Sequence, residues 1–570
     1  MCFFCRASVK NFNFAVFFLS LFLVLSFANP TWGQQIPKSA QPERLEQRFE
    51  KPPAPKSTVE PVAPEPKESV APVEMEKVKF KLMGIVVEGS TVYQDSDFLP
   101  YYEEFLNKEI SLAKVYEIAG AITARYRNDG YILSRANVPA QRIKNGVVRV
   151  QVIEGFVDKI EIDGKVEGRK ERLQAYVDKI AASRPLQVKV LERYLLLIDD
   201  LPGVSVESVL TPSKETPGAA NLTLLVKHKT VDGYASLDNR GSRFNGPIQG
   251  SAGGNLNSIL GLYEQTGFNF VTTEPTKELL YFSGMHEQQV GSEGTKVILS
   301  GSLSFTEPGS SLESFDIDGE SSTISVLIAH PFIRSREENL SGRFGFLRRD
   351  SETDILGSLS SRDRLRVFSL GFSYDFVDKF KGVSLIDLQF SQGADIFNAT
   401  ESGSANLSRA QGKSNFSKIS TKLWRRQNIA HGFSVLVEGA GQYAFDTLLA
   451  SEEFGFGGAQ FGRGYDSSEI SGDHGASVKA ELQYFHQVGK KYLKSLQAYG
   501  FYDYGSVWQK GNDFTGSDRQ ASLSSAGGGV RFTLTDWLSG YVEAAKPLDD
   551  QVIAEGDNDI RGFASLVARF

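Results

Sequence analysis

The chain has 570 residues, 41% of them hydrophobic, with a formal net charge of −7 and a negative mean hydropathy. That hydrophobic content excludes a largely disordered protein, and the negative hydropathy excludes a bundle of membrane helices. No tract is strongly basic, which excludes a nucleic-acid binder.

The first 33 residues read as a secretory signal peptide. Arg6 and Lys10 form a positive n-region, residues 14–27 an apolar h-region, and Ser26-Phe27-Ala28 and Thr31-Trp32-Gly33 are two candidate cleavage sites. An apolar core of about 14 residues is short for a spanning helix, which needs about 20. Cleavage would take the formal charge from −7 to −9 and remove Cys2 and Cys5, the chain's two cysteines. A mature chain without thiols has neither a disulfide scaffold nor cysteine metal sites.

Residues 34–77 are a proline-rich linker, with Pro52, Pro53, Pro55, Pro61, Pro64, Pro66 and Pro72. Such composition extends as polyproline-like chain. Within it, 43–51 sets Leu45 and Phe49 four apart, on one face of a short helix that would need a surface to lie against. Linker and helix both fit this stretch.

Residues 78–229 carry soluble α+β patterning in two similar units, 78–155 and 156–229. A strand ends at Gly89. Ser111 then caps a helix striped by Leu112, Val115, Ile118, Ala119 and Ile122, which Gly130 stops. Strands at 131–138 and 147–153 follow, the second opening on the hairpin turn Asn145-Gly146. The second unit repeats this order, with a strand at 157–162, helices at 169–182 and 188–200, and strands near 204–210 and 222–226.

From 230 to 570 helical periodicity gives way to alternation. Phe368, Leu370, Phe372, Tyr374 and Phe376 alternate with Ser369, Gly371, Ser373 and Asp375; Ile386, Leu388 and Phe390 alternate with Asp387 and Gln389. No helices follow that could cover a sheet. The predicted fold is therefore a membrane all-β barrel whose bulky face meets lipid and whose polar face lines a wet lumen. At about 20 residues per strand and loop, the span predicts about 16 antiparallel strands. Tracts 391–415 and 510–525 read as long external loops, and 562–570 as the last strand.

One loop stands out. Phe454-Gly-Phe-Gly-Gly-Ala-Gln-Phe-Gly-Arg463-Gly464-Tyr465-Asp466 carries an arginine on a glycine-dense stretch, and Phe501-Tyr-Asp503-Tyr-Gly505 puts a carboxylate in a strand. An arginine fork can engage a carboxylate through two parallel bonds, so these are the parts of a latch between loop and wall.

With these residues in place, the chain resembles the TpsB transporters of two-partner secretion, the ShlB/FhaC/HecB-like haemolysin secretion/activation proteins. They belong to the outer-membrane assembly superfamily that also contains BamA. The likeness runs from 78 to 570. It implies that the two α+β units are POTRA domains. The first looks like one through Glu88-Gly89-Ser90-Thr91-Val92-Tyr93, Tyr131-Ile132-Leu133-Ser134-Arg135-Ala136 and Val152-Ile153-Glu154-Gly155. The second does so through 195–204, and Leu237-Asp238-Asn239-Arg240-Gly241 looks like the start of the family's barrel.

The resemblance further implies a lumen loop motif, Arg463-Gly464-Tyr465, received by a wall motif, Phe501, Asp503 and Gly505. It implies a sorting signal at Phe570 and a plug role for 43–51. Two departures matter. Gly462 stands where an aliphatic residue often precedes the arginine, implying a more mobile loop. Ser565 stands where a stricter sorting signal has glycine.

The implied partners are a secreted TpsA-like exoprotein (a large adhesin or haemolysin), outer-membrane lipid, and the barrel assembly machinery during biogenesis. The implied location is the bacterial outer membrane with the POTRA domains in the periplasm. An insertase for other barrels is the alternative, though BamA-type members usually carry five such domains; a passive porin is the third.

No enzyme is expected. Gly412-Lys413-Ser414 lacks the earlier glycine of a phosphate loop, Leu407 standing there. The six histidines have no metal-ligand spacing, and no nucleophile elbow is present. The expectation is no catalytic residue, no metal and no cofactor.

Overall fold

The computed structural model describes residues 36–50, 52–59, 73–164, 170–511 and 519–570. The leader at 1–33 and linker residues 60–72 lie outside them.

In the first unit, helix Leu112–Asn128 begins where the Ser111 hydroxyl accepts the Lys114 N–H at 3.3 Å. The stripe Val115, Ile118, Ala119 and Ile122 is buried, and Tyr126 extends it. Gly130, at φ +91°, turns the chain out of the helix. The helix packs on a sheet ordered Gly84–Glu88, Val147–Ile153, Arg135–Asn137. Val148, Val150 and Val152 alternate onto the helix side, as period two requires.

The second unit repeats the plan. Phe156–Asp163 runs parallel to Ala219–His228, which pairs antiparallel with Val204–Pro212. Helices Lys170–Ala181 and Val188–Asp199 cover the sheet through Leu173, Tyr176, Ile180 and Ile198.

Among the described residues, sixteen antiparallel strands close a barrel from Val231–Asp238 to Arg561–Arg569. The closing seam pairs Ser565 with Asp238 through to Arg569 with Tyr234. Phe368, Leu370 and Phe372 on one strand, and Ile386, Leu388 and Phe390 on its neighbour, are exposed on the outer wall. Asp375 and Asp387 are buried on the inner side. An apolar exterior this continuous is stable only against hydrocarbon.

Two loop boundaries move. Val383–Gly393 carries its strand into the tract read as loop from 391. Gln520–Thr533 is a strand beginning inside 510–525: Leu523 and Ser525 face the lumen beside the loop while Ser522 and Ser524 alternate to the other face, so the serines belong to a ladder rather than a loop.

The barrel grips the second unit. Tyr263, on the turn after strand Ile248–Asn257, is 1% exposed within that unit's core. Arg334 donates twice to Asp200, at 2.8 and 3.0 Å, and the Lys56 ammonium adds a third bond at 3.0 Å. Burial pushes the Asp200 carboxyl up, but the Arg334 bonds and Lys56 more than offset this and hold it below its ordinary value. A carboxylate whose folded pKa is depressed stabilises above its unfolded pKa and loses that contribution as pH falls through the folded one. Spin-label distances between this unit and the barrel should therefore stay constant from neutral pH to about 4.5 and broaden below about 4. Asp200→Asn should broaden them already at neutral pH; a variant as narrow as the parent at every pH would remove Asp200 from this role.

Candidate functional site

Loop 445–473 folds back into the barrel. Its two arms pair as a short hairpin, Phe454–Phe456 with Ile470–Gly472. The wall makes room for its aromatic rings by omitting side chains. A Cβ at Gly475 would lie 2.0 Å from the Phe454 ring, and one at Gly505 2.0 Å from that of Phe456.

At the tip, Arg463 meets Asp503. Nε and Nη2 donate to the two carboxylate oxygens at 3.0 and 2.9 Å. The oxygen facing Nε also accepts the backbone N–H groups of Gly462 and Arg463, at 3.1 and 3.0 Å. The guanidinium lies over the Phe501 ring, 3.4 Å from its centroid. Both charged groups are buried, Asp503 fully and Arg463 to 3% exposure.

Gly462 does not loosen this loop. It sits at φ +75° while its N–H donates to Asp503, and a Cβ there would lie 2.7 Å from the Phe456 ring. The position therefore demands glycine. Gly464 passes so close to the wall that a Cβ would lie 2.8 Å from the Pro547 nitrogen. Tyr465 goes elsewhere, buried with Phe456, Leu523 and Val552, its hydroxyl oxygen accepting the Asp549 N–H at 3.3 Å. Arg463, Phe501 and Asp503 thus meet directly and Gly464 passes against the adjacent wall, whereas Gly505 backs the Phe456 ring, in the cluster through which Tyr465 anchors the loop to segment 548–560. Phe570 is remote, at the seam, exchanging backbone hydrogen bonds with Gly233.

The single-file motifs missed a wider charge network. Arg463 Nη1 also donates to Glu481 at 2.8 Å and lies 3.5 Å from Glu543. Arg531 donates to both Glu481 oxygens at 2.6 and 3.1 Å and lies over the Tyr499 ring. Arg240 pairs with Glu543 and donates to the Arg463 carbonyl at 3.2 Å. Three arginines thus face Asp503, Glu481 and Glu543, and the charges balance. One sequence signal was available: Lys479, Glu481 and Gln483 alternate with Val478, Ala480 and Leu482, marking a charged lumen face.

A second set of contacts joins segment 37–50 to the same loop. Two short 3₁₀ turns, Lys38–Ala40 and Pro42–Arg44, precede a four-residue helix, Glu46–Phe49. Arg44 donates to the Ala450 carbonyl at 2.6 Å and to Ser468 at 3.3 Å. Glu46 accepts from Ser302, Thr323 and Arg349 on the wall, and Arg349 continues to Glu452 of the loop at 3.1 Å. Leu45 packs on Val271 and Leu279, and Phe49 stacks on Tyr281 at 4.5 Å. Leu45 and Phe49 thus share the apolar face read from their spacing, although the α-helix proper is one turn long.

Among the described residues, no group of three His, Cys, Asp or Glu side chains is placed to hold a metal ion.

Comparison with known proteins agrees with this architecture. A family model described as haemolysin secretion/activation protein ShlB/FhaC/HecB matches residues 221–532, and a POTRA domain model of ShlB type matches 80–155. The chain is 23% identical over 460 residues to the heme/hemopexin transporter protein HuxB of Haemophilus influenzae strain 86-028NP, covering 79% of this chain and 80% of that one. It is 23% identical over 483 residues to the outer membrane transporter CdiB of Escherichia coli, covering 82% and 79%. Among solved structures, CdiB from Escherichia coli superposes with a TM-score of 0.72 at 20% identity, over 93% of this chain and 96% of that one. CdiB from Acinetobacter baumannii gives 0.64 at 17% identity, over 92% and 95%.

Proposed function

The chain belongs to the haemolysin secretion/activation family ShlB/FhaC/HecB, and from that premise we propose how its parts move an exoprotein across the outer membrane. It is an outer-membrane transporter of two-partner secretion, with POTRA domains in the periplasm and the barrel as the route to the surface. The client we propose is one large TpsA-like adhesin or haemolysin, delivered unfolded. The family model's own description, haemolysin secretion/activation protein, supports that class of cargo. We read no catalytic role anywhere in the chain. Folding of the client outside the cell would draw it outward, since the periplasm supplies no nucleotide.

The observation that carries the mechanism is the Arg463–Asp503 pair inside the lumen. A buried pair adds little net stability, because desolvation roughly cancels the attraction, but losing one partner costs about 3–5 kcal/mol. Such a pair serves position rather than stability. It holds loop 445–473 against the wall in one place, and segment 37–50 occupies the space beside it as a plug. Phe570, beside the last strand at the barrel's seam, is the mark we assign to the barrel assembly machinery.

Client capture falls to a sheet edge. Val204–Pro212 is nine residues long and paired on one side with Ala219–His228. An unfolded chain can add to the other side through main-chain bonds, which makes few sequence demands. Successive N–H groups in a strand point opposite ways, so of Ser208→Pro and Val209→Pro one spares the sheet's own ladder and deletes an outer donor. That variant should fold, by circular dichroism, yet lose about tenfold in affinity for an unfolded client fragment. Full affinity in both variants would move capture to another surface. Deleting the gene tests the function as a whole: one missing large surface protein is expected, whereas a broad loss of barrels would indicate an insertase.

A further inference from the structure

On the barrel's outer wall, strands Glu338–Ile355 and Ser358–Val377 change character along their length. Their lipid-facing rungs run through Phe344 opposite Leu370 and Phe346 opposite Phe368. One rung further, Arg348 stands opposite Arg366, and Asp350 opposite Arg364. The near end of these strands, at Asn339, adjoins the Arg334–Asp200 junction with the periplasmic unit. The arginines therefore lie toward the cell exterior, where the hydrocarbon band gives way to the outer leaflet's headgroups.

These side chains enclose an outward-facing bowl of about 440 Å³, lined by Phe346, Arg348, Asp350, Arg364, Arg366 and Phe397. Asp350 is shared. Arg366, 2% exposed, donates to it at 2.6 Å, and Arg348, about half exposed, pairs with it from the other side. Among the described residues the Arg364 side chain makes no ion pair. Arg362 and Glu352, beyond the bowl, neutralise each other. Three guanidiniums against one carboxylate leave the bowl with two uncompensated positive charges.

Phe397 and Asn398 provide an independent observation. Both hold left-handed backbone, at φ +49° and +61°. A bulky side chain in that region is strained. The bend aims the Phe397 carbonyl at Arg366, which donates to it at 3.2 Å, and sets the ring edge-on to Phe346 with 74% exposure. The fold therefore spends strain to hold an exposed aromatic ring beside a group of arginines with excess positive charge. A merely solvated charged face would not need that.

We propose that this bowl binds a phosphorylated glycolipid of the outer leaflet, its phosphate on Arg348 and Arg364 and the start of its acyl chains on Phe346 and Phe397. Arginine suits the task because its planar fork matches phosphate oxygens and is weakly hydrated. Asp350 and Arg366 position Arg348 from behind. Charged pockets at headgroup depth beside aromatic rings are how membrane proteins hold particular lipids.

The test uses the full-length protein, delipidated in detergent and titrated with bisphosphorylated lipid A under native mass spectrometry. One lipid should bind per chain, and Arg348→Ala/Arg364→Ala should bind it at least about tenfold more weakly. Arg362→Ala, outside the bowl, should match the parent. Should the double variant not show the heat-modifiable migration of a closed barrel, Arg364→Ala alone serves, since that side chain holds no other group. Dephosphorylated lipid A and phosphatidylglycerol should each bind less tightly than the bisphosphorylated lipid, and equimolar inorganic phosphate should displace nothing. Undiminished binding by the arginine variants, or equal binding of the dephosphorylated lipid or of phosphatidylglycerol, would overturn the assignment. Displacement by equimolar phosphate would overturn it too, by making the site one for free phosphate.

Discussion

Asp503→Ala should abolish secretion while leaving a closed, heat-modifiable barrel. The substitution strips Arg463 of its bidentate partner in a site from which water is excluded. An uncompensated buried charge costs about 3–5 kcal/mol, and the N–H groups of Gly462 and Arg463 each lose an acceptor worth about 1–3 kcal/mol. Glu481 still reaches Arg463, so the loss is partial for the charge but complete for the two N–H groups. The main-chain pairing of Asp503 with Lys479 and Ser525 does not involve the side chain and survives. Energy lost at the loop tip but not along the ladder should release loop 445–473 rather than unfold the wall. Protease cleavage within 445–473 should accelerate by at least about a hundredfold, the low end of those energies. A variant that secretes at the parental rate with a protected loop would reject the latch.

Removing residues 37–50 should open a steady aqueous pore. A four-residue helix has no stability of its own, because nucleation outweighs so few hydrogen bonds. The segment is held by what it touches. Thr353 and Ser361 donate to Glu43, Ser302 and Thr323 donate to Glu46, and Arg44 reaches the carbonyl of Ala450. Each of those bonds contributes about 0.5–1.5 kcal/mol, and somewhat more where a charge takes part. Glu46→Ala removes two hydroxyl contacts and one of the two carboxylates on Arg349, leaving Glu452. In planar bilayers the deletion should raise single-channel conductance several-fold over the parent, and Glu46→Ala should produce intermittent openings between the two levels. Parental conductance after deletion would show that the segment does not obstruct the lumen.

The two experiments separate different parts of one assembly. Arg463 fastens the loop to the wall directly, whereas Arg349 fastens it through Glu452 while also gripping the lumen segment through Glu46. Their effects should therefore not simply add, since neighbours in a shared network couple.

What the amino-acid order determined by itself was everything that depends on local period. Alternation of Phe368 to Phe376 with small or polar residues sufficed for a barrel, because side chains in a strand reach opposite faces whatever pairs with it. Ser111 and Gly130 bracketed a helix, because a cap and a left-handed stop are local chemistry. Arg463 and Asp503 were visible as a cation on glycines and a carboxylate in a strand. The tertiary structure alone decided which groups meet. Register sets Glu481 opposite Phe501, next to Asp503, and barrel closure brings Arg240 to Glu543, some three hundred residues on. Gly462 read as slack and proved a requirement, since its backbone angle and the Phe456 ring exist only once the loop has folded inward. Local patterns are written by neighbours along the chain, whereas a buried charge network is written by neighbours across space.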